Sequence, residues 1–95
     1  MSKITQMAYG AFMSDTPLCN SNTTVKVFDD ETQMELFGNL IARKDRHTGI
    51  IEISFSGWFS NTTKERLRAF ADITTKNGAV FVNGEEVNSF EWVEV

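Results

Sequence analysis

The chain has 95 residues with a net charge of −4, and 41% of its residues are apolar. This length excludes two independent domains, and the apolar fraction excludes a disordered chain, because burying that much apolar area can offset the entropy lost on ordering. No apolar run approaches the roughly 18 residues needed to cross a bilayer, so we expect an unprocessed, cytosolic protein. Cys19 is the only cysteine, which excludes an intramolecular disulfide.

Residues 1–22 show no strong periodicity, and Pro17 with the polar run at 19–22 indicates a break in regular structure. We predict that 1–22 form a partly ordered N-terminal arm and that 23–95 form a single α+β domain. Ile4, Met7 and Phe12 either dock this arm on the domain or bind a partner, and docking is the expected arrangement.

Three strands are predicted before the helix. Apolar and polar residues alternate over 24–28, 34–41 and 50–55, which is typical of strands with one face buried. Gly38 lies inside the second strand, where it indicates a bulge or a close backbone approach. The charged segment 43–49 is predicted to be a loop.

The predicted helix begins at residues 62–65, Thr-Thr-Lys-Glu, which fit a capping box with Thr62 as the cap. Leu67, Phe70 and Ala71 follow at helical spacing and indicate one apolar face. We expect the helix to end near Ala71.

Two Asn-Gly pairs, at 77–78 and 83–84, follow the helix, and Asn-Gly is the strongest short signal for a tight hairpin. Residues 90–95 alternate again and predict a closing strand. The predicted fold is therefore α+β, in the order β-β-β-α-β-β-β. It is a small antiparallel sheet of five to six strands with one helix packed across it.

Three segments, Phe37–Arg43 (FGNLIAR), Gly57-Trp58 and Thr62–Ala69 (TTKERLRA), resemble a group of small uncharacterised proteins of tailed bacteriophages. The resemblance covers roughly residues 22–95. It implies a phage accessory protein that acts in the cytoplasm of the host bacterium, where many such proteins bind host machinery. No functional residues are carried over from this group.

Residues for catalysis or metal binding are sparse. A nucleophile needs an adjacent base, but the only histidine, His47, lies in the charged loop and Cys19 lies in the polar break. One Cys and one His are too few for a structural zinc site, and the acidic run 29–31 lacks the ligand spacing of a calcium loop. We therefore predict a protein that is not an enzyme and that uses no metal or cofactor.

Aromatic and basic residues cluster where the third strand leads into the helix. Trp, Phe and Arg often dominate the energetics of protein interfaces. We predict a partner-binding surface formed by Trp58, Phe59, Lys64, Arg66 and Arg68. The sequence leaves open whether Trp58 is buried or exposed, whereas Trp92, which alternates with Phe90, is expected in the core.

Two functions are consistent with this surface. The favoured one is a non-catalytic protein that binds and modulates a host bacterial protein, as an inhibitor or to counter host defence. The alternative is a single-stranded nucleic-acid-binding protein, because aromatic stacking and basic side chains hold single strands. It would add Arg43, Lys44 and Arg46 to the same surface. The acidic flanks of the chain oppose this alternative, no membrane partner is expected, and the oligomeric state stays open.

Overall fold

The computed structural model describes all 95 residues, which form two helices and nine strands. The helices are α1 (Lys3–Met13) and α2 (Asn61–Leu67). The strands are β1 (Leu18–Asn20), β2 (Thr23–Val27), β3 (Glu31–Leu36), β4 (Asn39–Asp45), β5 (Ile51–Ile53), β6 (Ile73–Lys76), β7 (Ala79–Val82), β8 (Glu85–Val87) and β9 (Val93–Glu94). A six-stranded antiparallel sheet has the order β1-β2-β3-β4-β5-β9, and a three-stranded antiparallel sheet has the order β6-β7-β8. The predicted α+β class is confirmed, with a second helix and a second sheet in addition.

Helix α1 is part of the core. The Ser2 hydroxyl caps it by accepting the Thr5 amide at 3.1 Å, and Thr5, Ala8 and Phe12 line one face, each at most 1% exposed. This helix contradicts the predicted, partly ordered arm at 1–22, and β1 pairs with β2 across the predicted boundary. The periodicity was weak because the buried face consists of one large apolar residue, one alanine and one threonine.

One apolar core joins both sheets and both helices. Helix α1 packs on β2 and β3 of the larger sheet, and the smaller sheet contributes Ile73, Val80, Val82 and Val87 to the same cluster. Phe70, just after α2, packs edge-to-face on two rings of α1, with centroid distances of 5.1 and 5.2 Å. Each such pair contributes about 0.5–1.5 kcal/mol beyond the burial of its area.

Phe37 and Gly38 form the two-residue turn of a hairpin, in which Leu36 pairs with Asn39. The prediction of one continuous strand over 34–41 is therefore wrong. Both turn residues have positive φ, 52° and 80°, as in the type I′ turns that match the twist of paired strands. The turn was missed because type I′ turns favour Asn-Gly or Asp-Gly, and phenylalanine rarely adopts a left-handed backbone.

Helix α2 begins and ends earlier than predicted. Ser60 rather than Thr62 is its cap, since the Ser60 hydroxyl accepts the Thr63 amide at 3.2 Å. Glu65 does not return to the cap, because its carboxylate is held by Thr5 of α1 and by Ser2, the cap of that helix. The last helical residue is Leu67, so α2 is a short element fixed by tertiary contacts.

The C-terminal segment contains both predicted Asn-Gly turns. Asn77-Gly78 joins β6 to β7 and Asn83-Gly84 joins β7 to β8, with positive φ at all four residues. The closing strand is shorter than predicted, because only Val93–Glu94 pair with β5. Trp92 is half-buried rather than in the core, and the guanidinium carbon of Arg43 lies 4.1 Å from its ring centre.

Candidate functional site

Trp58 lies exposed at the end of a tight turn. It is 68% exposed and follows Ser56 and Gly57, whose φ values are 52° and 88°. The Trp58 amide donates to the Phe55 carbonyl at 3.0 Å, and the Ser56 hydroxyl donates to the carbonyl of Leu40. The loop is therefore fixed to the sheet while it holds the indole at the surface.

Phe59, also predicted to face a partner, turns inward. It is half-buried against the apolar core, and its ring packs edge-to-face on Phe55 with a centroid distance of 4.9 Å. These contacts hold the loop against the core. Phe59 is therefore a supporting residue of the Trp58 loop rather than a contact residue.

Arg66 is buried, which contradicts its predicted place on the binding surface. It is 6% exposed. Its Nε donates to the Thr23 hydroxyl at 3.0 Å, and its terminal nitrogens donate to the Thr5 hydroxyl at 2.9 Å, the Glu65 carboxylate at 2.5 Å and the Asn22 amide oxygen at 3.3 Å. We call these five residues, which join α1 to α2 and to the start of β2, the α1–α2 seam.

Glu65 is held in its ionised form within the seam. Burial alone would raise the pKa of this carboxyl, but hydrogen bonds from Thr5 and Ser2 and the charge of Arg66 outweigh it and lower the pKa to about 2. Ser2 donates to this carboxylate through its amide at 3.2 Å and its hydroxyl at 2.8 Å. The seam is thus a hydrogen-bonded ion pair at neutral pH.

Lys44 is a second buried cation, and it lies in β4 rather than in a loop. Its Nζ donates to the carbonyls of Phe12 at 3.2 Å and Met13 at 3.1 Å and lies 2.9 Å from the Asp15 carboxylate. Carbonyls at the end of a helix lack intrahelical partners, and a lysine there satisfies them. Lys44 therefore secures the end of α1 and is not available to bind phosphate. The hydrogen bonds from Thr32 and from Lys44 lower the pKa of Asp15.

The other cations differ in whether they have partners. Arg43 bonds Glu52 at 3.0 Å, and Arg46 donates to the Phe28 carbonyl at 2.6 Å and lies 3.7 Å from Asp15. By contrast, Lys64, which lies on α2, and Arg68, which follows its last residue, have no carboxylate within ion-pair distance. Of the predicted basic surface, only these two side chains stay uncompensated.

The structure brings Trp58 together with Phe37, a residue that the sequence analysis missed. The two side chains, 68% and 71% exposed, line a cleft of about 290 Å³ between the β3–β4 hairpin and the first turn of α2. The other lining residues are the apolar Leu36, Ile41 and Phe55 and the polar Asn39, Ser60, Thr62 and Thr63. We call this feature the aromatic cleft, and Phe37 and Trp58 its rim. A Phe-Gly pair between two alternating runs was the signal that could have revealed the turn and its exposed ring.

Phe37 occupies its place at the rim with an unfavourable backbone conformation. Its φ of 52° matches those of Asn77 at 53° and Asn83 at 51° in the other two-residue hairpins, but a bulky residue in this region is an outlier. Such strain costs on the order of 1–3 kcal/mol and concentrates at functional sites. Because the Phe37 ring is largely exposed, its burial does not offset that cost, and the residue is a candidate for function.

Phe90 extends the exposed aromatic area behind the Trp58 turn. It is 75% exposed, and the Gly57 amide donates to the Ser89 carbonyl at 2.7 Å. A Cβ on Gly57 would lie 2.8 Å from the Phe90 ring. Glycine at this position therefore serves two purposes, since it permits the positive φ and lets the ring lie against the turn.

A family model described as Kyanoviridae Gp96 protein matches residues 1–94. The chain belongs to this family. The match includes α1, the α1–α2 seam and both rim residues, so these features lie within the family's domain. The Gp96 family is a phage protein family of unknown function, which confirms the resemblance to uncharacterised phage proteins and indicates a phage accessory protein. Comparison with curated proteins and with solved structures gave no match.

The residues that were considered for other chemistry are dispersed. Cys19 lies on β1 and His47 lies in the turn between β4 and β5. No group of three or more His, Cys, Asp or Glu side chains is placed to hold a metal ion. Neither helix has the length and apolar character needed to span a bilayer.

Proposed function

We propose that this Gp96 family member is a non-catalytic phage protein that binds and modulates a protein of the host bacterium, and that the aromatic cleft is its binding site. It acts in the host cytoplasm, as an inhibitor or in countering host defence. The observation that carries the proposal is the strained, exposed Phe37 opposite the exposed Trp58.

The rim exposes a large aromatic area that a partner could cover. Phe and Trp side chains bury about 150–250 Å² each when covered and dominate interface energetics. The rim places two such side chains around an apolar floor formed by Leu36, Ile41 and Phe55. A protein partner that covers the rim gains this area without reordering the backbone, because both turns are fixed by hydrogen bonds.

Nucleic acid is the less favoured ligand. Lys44 and Arg66 are buried, and Arg43 and Arg46 have carboxylate partners. Nucleic-acid binding depends on Lys and Arg side chains that neutralise phosphates. Four of the basic residues suggested for that role therefore have other partners, on a chain whose net charge is −4.

Affinity capture from host lysate with quantitative mass spectrometry tests the proposal. The bait is the full chain, compared with a Phe37→Asn, Trp58→Ser double variant. Asparagine suits the turn better than phenylalanine does, so the double variant retains the fold. We expect the double variant to recover at least tenfold less of the partner, as for the loss of an interface hot spot.

The control is Phe28→Ser, which removes another exposed aromatic residue, 48% exposed, in the turn between β2 and β3. It should recover the partner as the wild type does. Equal recovery by wild type and double variant would overturn the cleft as the site. Binding of a labelled oligonucleotide that weakens steeply with salt would overturn the choice of a protein partner.

A further inference from the structure

We infer that strand β6 of the smaller sheet pairs with β6 of a second copy of the chain across a twofold axis. The two smaller sheets then form one continuous six-stranded antiparallel sheet. None of the residues of β6 lines the aromatic cleft, so this surface is separate from the proposed binding site.

Two residues of β6, Ile73 and Thr75, direct their backbone groups away from β7. The Asn83 amide donates to the Asp72 carbonyl at 2.8 Å. This bond lies directly beside the pair formed by Ile73 and Val82, so that pair exchanges no bonds of its own. Because bonded and non-bonded pairs alternate along an antiparallel ladder, Thr75, two positions after Ile73, also has no backbone bond to β7.

The outward backbone groups of β6 are open at Thr75. At Ile73, the carbonyl accepts a bond from Nε of Arg68 at 3.3 Å, which confirms that it points away from β7. The Thr75 amide and carbonyl bond neither a loop residue nor a side chain, and the residue is exposed. An exposed edge strand with unpaired backbone groups is a template for pairing with another chain.

The four edge strands of the two sheets, β1, β9, β6 and β8, differ in the features that prevent such pairing. Natural edges are protected by charged side chains, by proline or by short length. Strand β8 carries the exposed Glu85 and Glu86, β9 has only two residues, and β1 has three residues directly after Pro17. Strand β6 has four residues, two of which are exposed threonines that suit a paired strand. Its one charge, Lys76, lies next to the turn.

Charge complementarity identifies a second copy as the occupant. A twofold axis at Thr75 lets the two Thr75 residues exchange both backbone bonds, and it places Thr74 of each copy opposite Lys76 of the other. The two lysines are therefore not opposite each other. Residues 73–82, which form β6, its turn and β7, contain no carboxylate, so the acidic side chains of the chain lie outside the pairing strands. Self-pairing of β8 about Glu86 would instead set like charges directly opposite, which is destabilising.

Sedimentation equilibrium of the full chain tests this inference. Thr75→Pro removes the outward amide and leaves the bonds to β7 in place, since proline is tolerated on the free side of an edge strand. The matched control is Glu86→Pro on the edge of β8. Val80 has no backbone bond to Thr75 and so bonds Val87, which leaves the adjacent Glu86 amide facing outward. Circular dichroism melts establish that each variant is folded.

We expect wild type and Glu86→Pro to dimerise alike, and Thr75→Pro to dimerise at least tenfold more weakly, because two backbone hydrogen bonds are lost. Two variants of the exposed Thr74 test the register without changing the backbone. Thr74→Lys sets two lysines opposite each other and should weaken the dimer a few-fold, whereas Thr74→Glu supplies an opposite charge to Lys76 and should strengthen it a few-fold.

The contrary outcomes are distinct. A wild-type chain that stays monomeric up to the limit of its solubility would overturn the inference. Dimers that Thr75→Pro leaves intact, or that the Phe37→Asn, Trp58→Ser variant abolishes, would place the interface elsewhere and overturn it as well. Open polymers that both proline variants abolish would show β6 pairing with β8 and overturn the twofold arrangement. The capture of a host protein by the aromatic cleft is measured separately, so failure of one proposal leaves the other standing.

Discussion

The α1–α2 seam and the rim of the aromatic cleft invert the usual distribution of side chains. In the seam a charged group, Arg66, is buried and all its nitrogens are bonded. At the rim, Phe37 and Trp58 are exposed. The seam links α1 to α2 by hydrogen bonds, whereas the rim leaves apolar area uncovered. The seam stabilises the fold, whereas the exposed rim is the surface that we propose for binding.

The seam is broken most severely by Arg66→Ala. The buried guanidinium donates to Thr5, Thr23 and Glu65, and its removal takes away these hydrogen bonds together. Because the Glu65 side chain is 32% exposed, the expected cost is about 3 kcal/mol, as for hydrogen bonds to a charged group. Urea unfolding followed by circular dichroism measures the loss. The matched control is Arg68→Ala at the end of the same helix, which should change stability by less than about 0.5 kcal/mol. Similar losses for both would mean that the seam contributes no special stability.

Glu65→Gln tests the charge of the seam separately from its shape. The pKa of Glu65 is lowered to about 2 from an ordinary 4.5. The ionised carboxylate therefore stabilises the fold fully above about pH 4.5. This stabilisation is lost as the pH falls towards 2, where the carboxylate of the folded protein takes up a proton. The Gln variant should be less stable by about 1.5–3 kcal/mol at pH 7, the range for a hydrogen bond to a charged group. Its stability should approach that of the wild type near pH 2. A difference that is constant with pH would contradict the ionised carboxylate.

Phe37→Asn tests how much the left-handed backbone of Phe37 lowers the free energy of unfolding. Relief of the left-handed phenylalanine should raise the free energy of unfolding by about 1 kcal/mol. Asn77→Phe, in the matching turn of the smaller sheet, should lower it by a similar amount. Thermal unfolding of both variants measures the gain in stability of the first and the loss of the second. A loss of stability in Phe37→Asn would mean that the ring has a packing role and that strain at Phe37 does not limit stability.

Trp58→Ser should have the smallest effect on stability, less than about 0.5 kcal/mol, because an exposed side chain has few contacts to lose. Its effect on partner capture should be large, at least about 2 kcal/mol for a hot spot. Stability and capture measured on one preparation separate the two properties. A loss of more than about 2 kcal/mol in stability would assign Trp58 to the fold instead of the binding site.

The amino-acid sequence by itself determined the α+β class, the two Asn-Gly hairpins and the presence of an aromatic loop before α2. These signals are local, since a tight turn needs residues that accept positive φ and a strand shows its alternation directly. The Phe-Gly turn was missed because its first residue contradicts the usual chemistry of such turns.

Only the tertiary structure decided which side chains face solvent. The partners that bury Arg66 lie 43 and 61 positions away, at Thr23 and Thr5, and Lys44 reaches carbonyls of α1 32 and 31 positions away. No local pattern marks an arginine or lysine for such a place, since both are usually exposed. Likewise, Phe37 and Trp58 share a cleft because one turn of the sheet and the start of a helix meet in space, which only the assembled fold determines.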